Sequence, residues 1–332
     1  MKPSKVMCNL LALLIASAIS ISQTKINGFF QYSYLVEFKN VRKETFIPGT
    51  INLRFSSSLA KQIRLELQVG LKEMDFNKFL KDYFIEIFDP IPGLKGLEIK
   101  AGQFKYYWSI ERKESSSDRR TVYRSQVVSA LVADRDRGVE VSYTGLENFR
   151  FALGVWNGEV VYKNAGTVFE TIDYTRNMDD SDTKKDLTAF ASYDLKISSG
   201  NELTINAGYL NGSNGRMGIA KKIRYGFGFD GHFVNKNLHF RGEFIGGKDD
   251  NIKKLGYYLQ LSYKIFDYFE PVLKYDLWDS NINLAGESKW LTFGVYSKVM
   301  EYLVFRFNYV RKIEEVVDIK NDEIVFMIQV KF

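Results

Sequence analysis

Apolar and polar residues alternate with a period of two along almost the whole of this 332-residue chain. That is the signature of extended strands with one apolar and one wet face. The last stretch is the cleanest. Ile324, Phe326, Ile328, Val330 and Phe332 fall on one face, and Glu323, Gln329 and Lys331 on the other with Val325 and Met327. From Leu255 to Ile265 the apolar set is Leu255, Tyr257, Leu259, Leu261, Tyr263 and Ile265, opposed by Gly256, Tyr258, Gln260, Ser262 and Lys264. From Phe269 to Trp278, Phe269, Pro271, Leu273, Tyr275 and Leu277 oppose Glu270, Lys274 and Asp276. The same reading gives sixteen strands. Their centres lie near Tyr32, Leu53, Leu65, Ile85, Ile99, Val141, Leu153, Ala191, Ile205, Phe227, Phe240, Leu259, Leu273, Phe293, Phe305 and Phe326.

The beginning of the chain follows another rule. Lys2 and Lys5 precede a short apolar run, Leu10 to Ala18, with small-residue sites at Ala16-Ser17-Ala18 and Ser20-Ile21-Ser22. This is the pattern of a secretory signal peptide. The expected organisation is a signal over residues 1–22 and one unit over 23–332. Cys8, the single cysteine, precedes the apolar run and is not positioned for lipidation, so no disulfide or thiolate chemistry is expected in the mature chain.

No later segment approaches the roughly 18 uncharged apolar residues of a spanning helix. A secreted chain without one still crosses a membrane if its strands close into a barrel. The connections support this. Thr144 to Asn148, Val234 to Asn237, Phe266 to Tyr268 and Val299 to Glu301 are short. Asn157 to Asp186, Asn211 to Lys221, Gly247 to Lys254, Asp279 to Glu287 and Lys312 to Asp322 are longer and polar. Short periplasmic turns alternating with long extracellular loops are the habit of outer-membrane barrels, and 26 Phe and 20 Tyr suit a lipid-facing exterior. The expected fold is therefore all-β: a sixteen-stranded antiparallel transmembrane barrel. Phe332, closing an aromatic-alternating strand, resembles the signal by which such barrels are recognised for insertion.

The connection after the fifth strand is the longest. It carries Trp108, Ile110, Val122, Val127, Val128 and Leu131, and an apolar loop of that length is expected to fold inward and narrow a wide barrel. Asp118 is placed to cap a helix running toward Val132. Over Leu97 to Gly145, the runs Gly102-Gln103-Phe104-Lys105, Ser109-Ile110-Glu111-Arg112, Ser116-Ser117-Asp118-Arg119 and Arg135-Asp136-Arg137-Gly138-Val139 resemble the phosphate-selective porin O and P family. The resemblance is specific over these roughly fifty residues and general elsewhere. It implies a homotrimeric barrel, an inward third loop, pore-lining Arg and Lys, and lysines that bind phosphate at the constriction, for which Lys105 and Lys113 are available.

If apolar positions face lipid, then Arg54, Arg64, Lys100, Arg150, Arg224, Arg241, Lys274 and Arg306 face the lumen. In the loop, Lys105, Arg112, Lys113, Arg119, Arg120, Arg124, Arg135 and Arg137 outnumber Glu111, Glu114, Asp118, Asp134 and Asp136 by three. Rings of Arg and Lys suit the passage of small anions such as phosphate. Glu66, Glu98, Glu140 and Glu243 share the lumen, so a structural salt-bridge lattice is the competing account. Arg135, Asp136 and Arg137 are expected to anchor the loop to the wall.

Other functions fit less well. The +6 charge, +4 without Lys2 and Lys5, is spread along strands rather than gathered for nucleic acid. The two histidines, His232 and His239, are seven apart around a turn, with no Gly-x-Ser-x-Gly and no cysteine nearby, so neither a catalytic residue nor a metal or other cofactor is expected. Asp179-Asp180 and Asp249-Asp250 read as solvated loop pairs, or as weak bridges to Ca²⁺ or lipopolysaccharide. The main expectation is a passive channel for small anions, with phosphate or polyphosphate as candidate solutes, in contact with outer-membrane lipid and lipopolysaccharide. The alternatives are a weakly selective porin, or a non-conducting barrel serving as scaffold, adhesin or hydrolase.

Overall fold

A computed structural model describes residues 24–38, 42–70, 80–105, 108–132, 134–158, 183–215, 218–316 and 319–332. Residues 1–22, where the signal peptide is expected, and Asp179-Asp180 lie outside them. Sixteen strands close into one antiparallel barrel in which each neighbours the next in sequence and β1 pairs with β16. They are β1 (Thr24–Phe38), β2 (Lys43–Ala60), β3 (Ile63–Gly70), β4 (Leu80–Phe88), β5 (Leu97–Phe104), β6 (Asp136–Tyr143), β7 (Phe149–Trp156), β8 (Asp186–Ser198), β9 (Asn201–Asn214), β10 (Ile219–Phe233), β11 (Leu238–Asp249), β12 (Ile252–Tyr263), β13 (Glu270–Asp279), β14 (Ser288–Met300), β15 (Leu303–Glu314) and β16 (Asp322–Lys331). Every expected strand centre falls inside the corresponding strand.

Closure is a physical requirement. Unpaired edge amides have no partner in hydrocarbon, so a spanning sheet must return on itself. The seam is closed at its end by Gly28 and Phe332, which exchange N–H···O bonds of 2.9 and 3.0 Å. With an even number of strands, both ends of the barrel chain lie at the same rim, called here the near rim.

The alternation sorts the side chains. In β16, Glu323, Val325, Met327 and Gln329 are buried inside, while Phe326 and Val330 are exposed outside. Leu259, Leu261, Tyr263, Leu273, Phe293 and Phe307 all lie on the exposed exterior. Ring pairs such as Phe149–Phe151 and Phe305–Phe326 stack there. Such an exterior matches acyl chains. Leu259→Arg, mid-strand on that face, is therefore expected to cost about 2–4 kcal/mol near the bilayer centre. The folded fraction in lipid vesicles, read by the gel-mobility difference between unheated and boiled samples, should fall, whereas Leu259→Phe should leave it unchanged.

The loop pattern needs correction in two places. Gly247 to Lys254 is not a long loop: β11 runs to Asp249 and β12 starts at Ile252, paired in register, leaving only Asp250 and Asn251 to turn. Asp250 takes a left-handed conformation (φ 50). Asn211 to Lys221 likewise shrinks to the few residues between Asn214 and Ile219. These strands overrun the apolar belt, so polarity there marks the edge of the membrane rather than the end of the strand. Asp249 is accordingly no solvated loop carboxylate. It is buried and paired with Arg224 (2.6 Å) and Lys254 (2.7 Å).

Candidate functional site

The connection from β5 to β6 lies inside the barrel and carries two short helices. Ser109 caps α1 (Ile110–Lys113) by accepting from the Arg112 N–H. Ser125 caps α2 (Gln126–Leu131) by accepting from the Val128 N–H. The helix expected from Asp118 thus begins later, at Ser125. The reason lies across the barrel. Arg306 donates to the carbonyls of Arg119 (2.6 Å) and Ser117 (2.8 Å), Gln329 also donates to Ser117 (3.0 Å), and the Val122 N–H donates to Asn308 (2.7 Å). Backbone groups held by β15 and β16 are not available for helical bonds. Asp118 instead meets Lys331 (2.6 Å).

Wall carboxylates hold both helices. Glu243 of β11 accepts from Ser109 Oγ (3.1 Å), the N–H groups of Ile110 (2.7 Å) and Glu111 (2.9 Å), and the Tyr258 hydroxyl (2.9 Å). Asp276 of β13 accepts from the Gln126 N–H (2.8 Å). Glu111 accepts from the Ser125 N–H and hydroxyl, both at 2.8 Å, and pairs with Lys274 at 2.6 Å. Burial would raise the Glu111 carboxyl, but Lys274 and Arg124 prevail and hold it down at about 2. Lumen-facing glycines make room for the loop: a Cβ on Gly208 would meet Trp108 Cβ at 2.7 Å, and one on Gly256 would meet Val127 Cβ at 2.7 Å. Trp108, Val127, Val128 and Leu131 then pack with Phe84, Phe104 and Trp156 in a core inside the barrel.

Thus anchored, the loop packs its helices against β10–β13, is tied to β15 and β16, and leaves open space beside it. A cavity of about 930 Å³ lies toward β2–β11 and a smaller one of about 200 Å³ lies between the loop and β1–β4. Arg54, Lys105 and Ser115 line both. The smaller carries Arg54, Lys81, Lys105, Arg112, Arg119, Arg124 and Arg135 against Asp134 alone.

The cations expected on the strands occupy varied surroundings. Arg54 lies 3.3 Å from Glu66, Lys100 2.9 Å from Glu86, and Arg150 3.7 Å from Glu98; Arg64 also pairs with Glu86. Arg224 meets Asp249, Lys274 meets Glu111, and Arg241 meets both Asp230 (2.6 Å) and Glu114 (2.7 Å). Arg306 holds loop carbonyls rather than an acidic side chain. Seven of the eight are thus ion-paired, as the lattice account expects.

The loop cations also separate. Arg112 is buried and donates to the carbonyls of Val128 (2.8 Å) and Val132 (2.7 Å), closing the end of α2. Arg120 turns away to Glu270 (2.5 Å). Arg135 grips Asp82 of β4 (2.6 Å), and Asp136 accepts from the Gly158 N–H (2.6 Å), so both tie down the loop's exit. Arg137 departs from its expected anchoring role. The alternation of β6 puts it on the outward face with Val139 and Val141, in register with Gln103 and, one strand further on, Tyr83. Lys113 lines the larger cavity. Lys105 donates to the Glu114 carbonyl (3.0 Å), and Arg124 to those of Glu111 and Glu114. For Arg119, the Nε is buried without a hydrogen-bond partner.

These loop cations crowd one another. Burial first, then Arg124 and Arg135, push the Lys105 ammonium well below its ordinary value. Burial, then Arg119 and Arg112, lower Arg124 to about 9. Burial also brings Arg119 down to about 10, against the pull of Glu111 and Glu114. A low-dielectric cluster of like charge is the condition in which an entering anion gains most.

At the near rim, the register puts His232 directly opposite His239, their rings stacked 4.5 Å apart, with Asp230 beside them. A spacing of seven around a tight turn is what pairs them, and hairpin arithmetic could have found it.

No family model and no curated protein matches this sequence. Solved structures do resemble it. An anion-selective porin from Comamonas acidovorans is 11% identical, with a TM-score of 0.66 over 93% of this chain and 99% of that one. OprB of Pseudomonas putida is 12% identical, with a TM-score of 0.67 over 97% and 96%. OmpT of Vibrio cholerae, in a trimer form, is 11% identical, with a TM-score of 0.58 over 93% and 99%. The fold is that of outer-membrane porins. With its apolar exterior, it is the architecture of a protein of the outer membrane of a Gram-negative-type bacterium.

Proposed function

We propose that the protein is a passive outer-membrane channel that prefers small anions, with its selectivity set where the inward loop faces β1–β4. The observation that carries this reading is the smaller cavity, lined by seven basic residues and one acidic one, with Lys105 and Arg54 shared with the larger space. Lys105 and Arg124, held by backbone carbonyls, act as the working charges together with Arg119, whose Nε is buried without a hydrogen-bond partner. The paired strand cations form a supporting lattice. Phosphate belongs to the class of anions that Arg and Lys bind well, and the resemblance around Lys105 favours it as a permeant solute. The signal peptide over residues 1–22, the lipopolysaccharide contacts and a homotrimeric assembly complete the reading; the last is supported by the trimer form of the Vibrio cholerae OmpT.

The test is single-channel current of the refolded protein in a planar bilayer under a KCl gradient. The expected result is discrete steps with an anion-selective reversal potential, and block or slowing by added phosphate. Silent membranes from folded barrels would remove the channel reading. Anion selectivity without any phosphate effect would leave a general anion porin. The same recording carries a pH prediction. With its ammonium held well below the ordinary lysine value, Lys105 loses charge early as pH rises, so anion preference should decline on the alkaline side. Lys105→Arg should retain the preference to higher pH.

A further inference from the structure

The geometry points to a binding site for one divalent transition ion of the zinc class at Asp230, His232 and His239, on the lumen side of the near rim. One ligand atom from each of the three lies within 4.8 Å of the others. The residues stand on two adjacent strands in fixed register, His232 opposite His239 and Asp230 opposite Arg241. Such a platform holds its ligands far more firmly than a loop does.

His239 Nε2 lies 2.5 Å from Asp230 Oδ1, a hydrogen bond whose shared proton a metal ion would replace. With the ion on Nε2 the ring proton sits on Nδ1, which is buried without a hydrogen-bond partner, so the outer acceptor usual for a ligating imidazole is not supplied by a protein atom here. Binding then displaces the proton shared with Asp230, as metal sites commonly do. The other carboxylate oxygen, Oδ2, accepts from Arg241 Nε (3.0 Å) and Nη2 (2.6 Å). That leaves Oδ1 for the ion and fixes the carboxylate, the role outer-shell donors play in metal sites. Arg241 is itself balanced by Glu114 of the loop at 2.7 Å, so its charge does not act alone on the ion.

Two imidazoles and one carboxylate select borderline ions over calcium or magnesium, which want oxygen cages. Metal–ligand bonds of about 2.0–2.2 Å require ligand atoms somewhat over 3 Å apart, so the short contact must open and the long one close by under about 2 Å. Three protein ligands leave a fourth position open, and Asp230 borders the 930 Å³ cavity from which an ion would arrive.

The test uses the refolded full barrel, stripped with EDTA, and ZnCl2 in a calorimeter, with CoCl2 as a spectroscopic probe. The expected result is one zinc per chain and a visible cobalt band of tetrahedral intensity. Affinity should fall at least tenfold in His232→Gln and further in the His232→Gln/His239→Gln double variant. His232, half-buried and contributing only a stacked ring, is the mild change; if His239→Gln fails to give the folded gel mobility, His232→Gln alone decides. Zinc uptake equal in wild type and variant, or uptake only at the level of an adventitious ion, overturns the site. Calorimetry needs no open channel, so this result stands apart from that of the bilayer recordings.

Discussion

Replacing Glu243 by alanine is expected to release the inward loop. One carboxylate accepts from Ser109, Ile110, Glu111 and Tyr258, and all four donors would be left in a buried, water-poor space. Unmet buried donors cost about 1–3 kcal/mol each, with losses that do not add fully. A total of roughly 3–6 kcal/mol is therefore expected, read as a lower urea midpoint for unfolding from micelles. Conductance should rise as α1 leaves the wall, and anion preference should fall as Lys105 and Arg124 lose their backbone holders. Glu243→Gln keeps one acceptor oxygen and should show a smaller change in the same direction. Unchanged stability and unchanged conductance in the alanine variant would mean that Trp108 and α2 hold the loop unaided.

The largest functional effect is expected from Lys105→Glu, Arg119→Glu and Arg124→Glu together. They turn the smaller cavity from seven basic residues against one acidic to four against four. At about 8 Å a unit charge acts on a monovalent ion with about 0.5 kcal/mol even at the dielectric constant of open water, which is the floor for a buried cluster. Six units amount to about 3 kcal/mol, on the order of a hundredfold in relative permeation before salt screening. The reversal potential in a KCl gradient should move to zero or change sign. Arg120→Glu is the informative contrast. Arg120 is paired with Glu270 and borders neither cavity, so its reversal should weaken the fold more than it alters selectivity. An unmoved reversal potential in the triple variant would place the selective charges elsewhere.

The strand count was legible from the chain because each strand's evidence is local. Two faces of different solvent leave a period of two in any ten residues, as in Leu255 to Ile265. Strand ends were less legible: Gly247 to Lys254 is polar because it leaves the membrane, although both strands continue there. The inward loop was legible from its apolar residues, Trp108, Val127 and Leu131, which have no reason to stand in water.

The sequence by itself thus determined a closed barrel with an apolar exterior, a charged lumen and a loop too greasy to remain outside. Only the tertiary structure decided which of those charges are free to meet a solute. Lys274 finds Glu111, Arg241 finds Glu114 and Arg306 finds the Ser117 carbonyl across more than a hundred residues of chain. Such pairings depend on register and on the path of the loop, and period-two patterning carries neither. The meeting of His232, His239 and Asp230 is intermediate: a spacing of seven around a tight turn pairs the two rings, and the folded hairpin adds Asp230 to them.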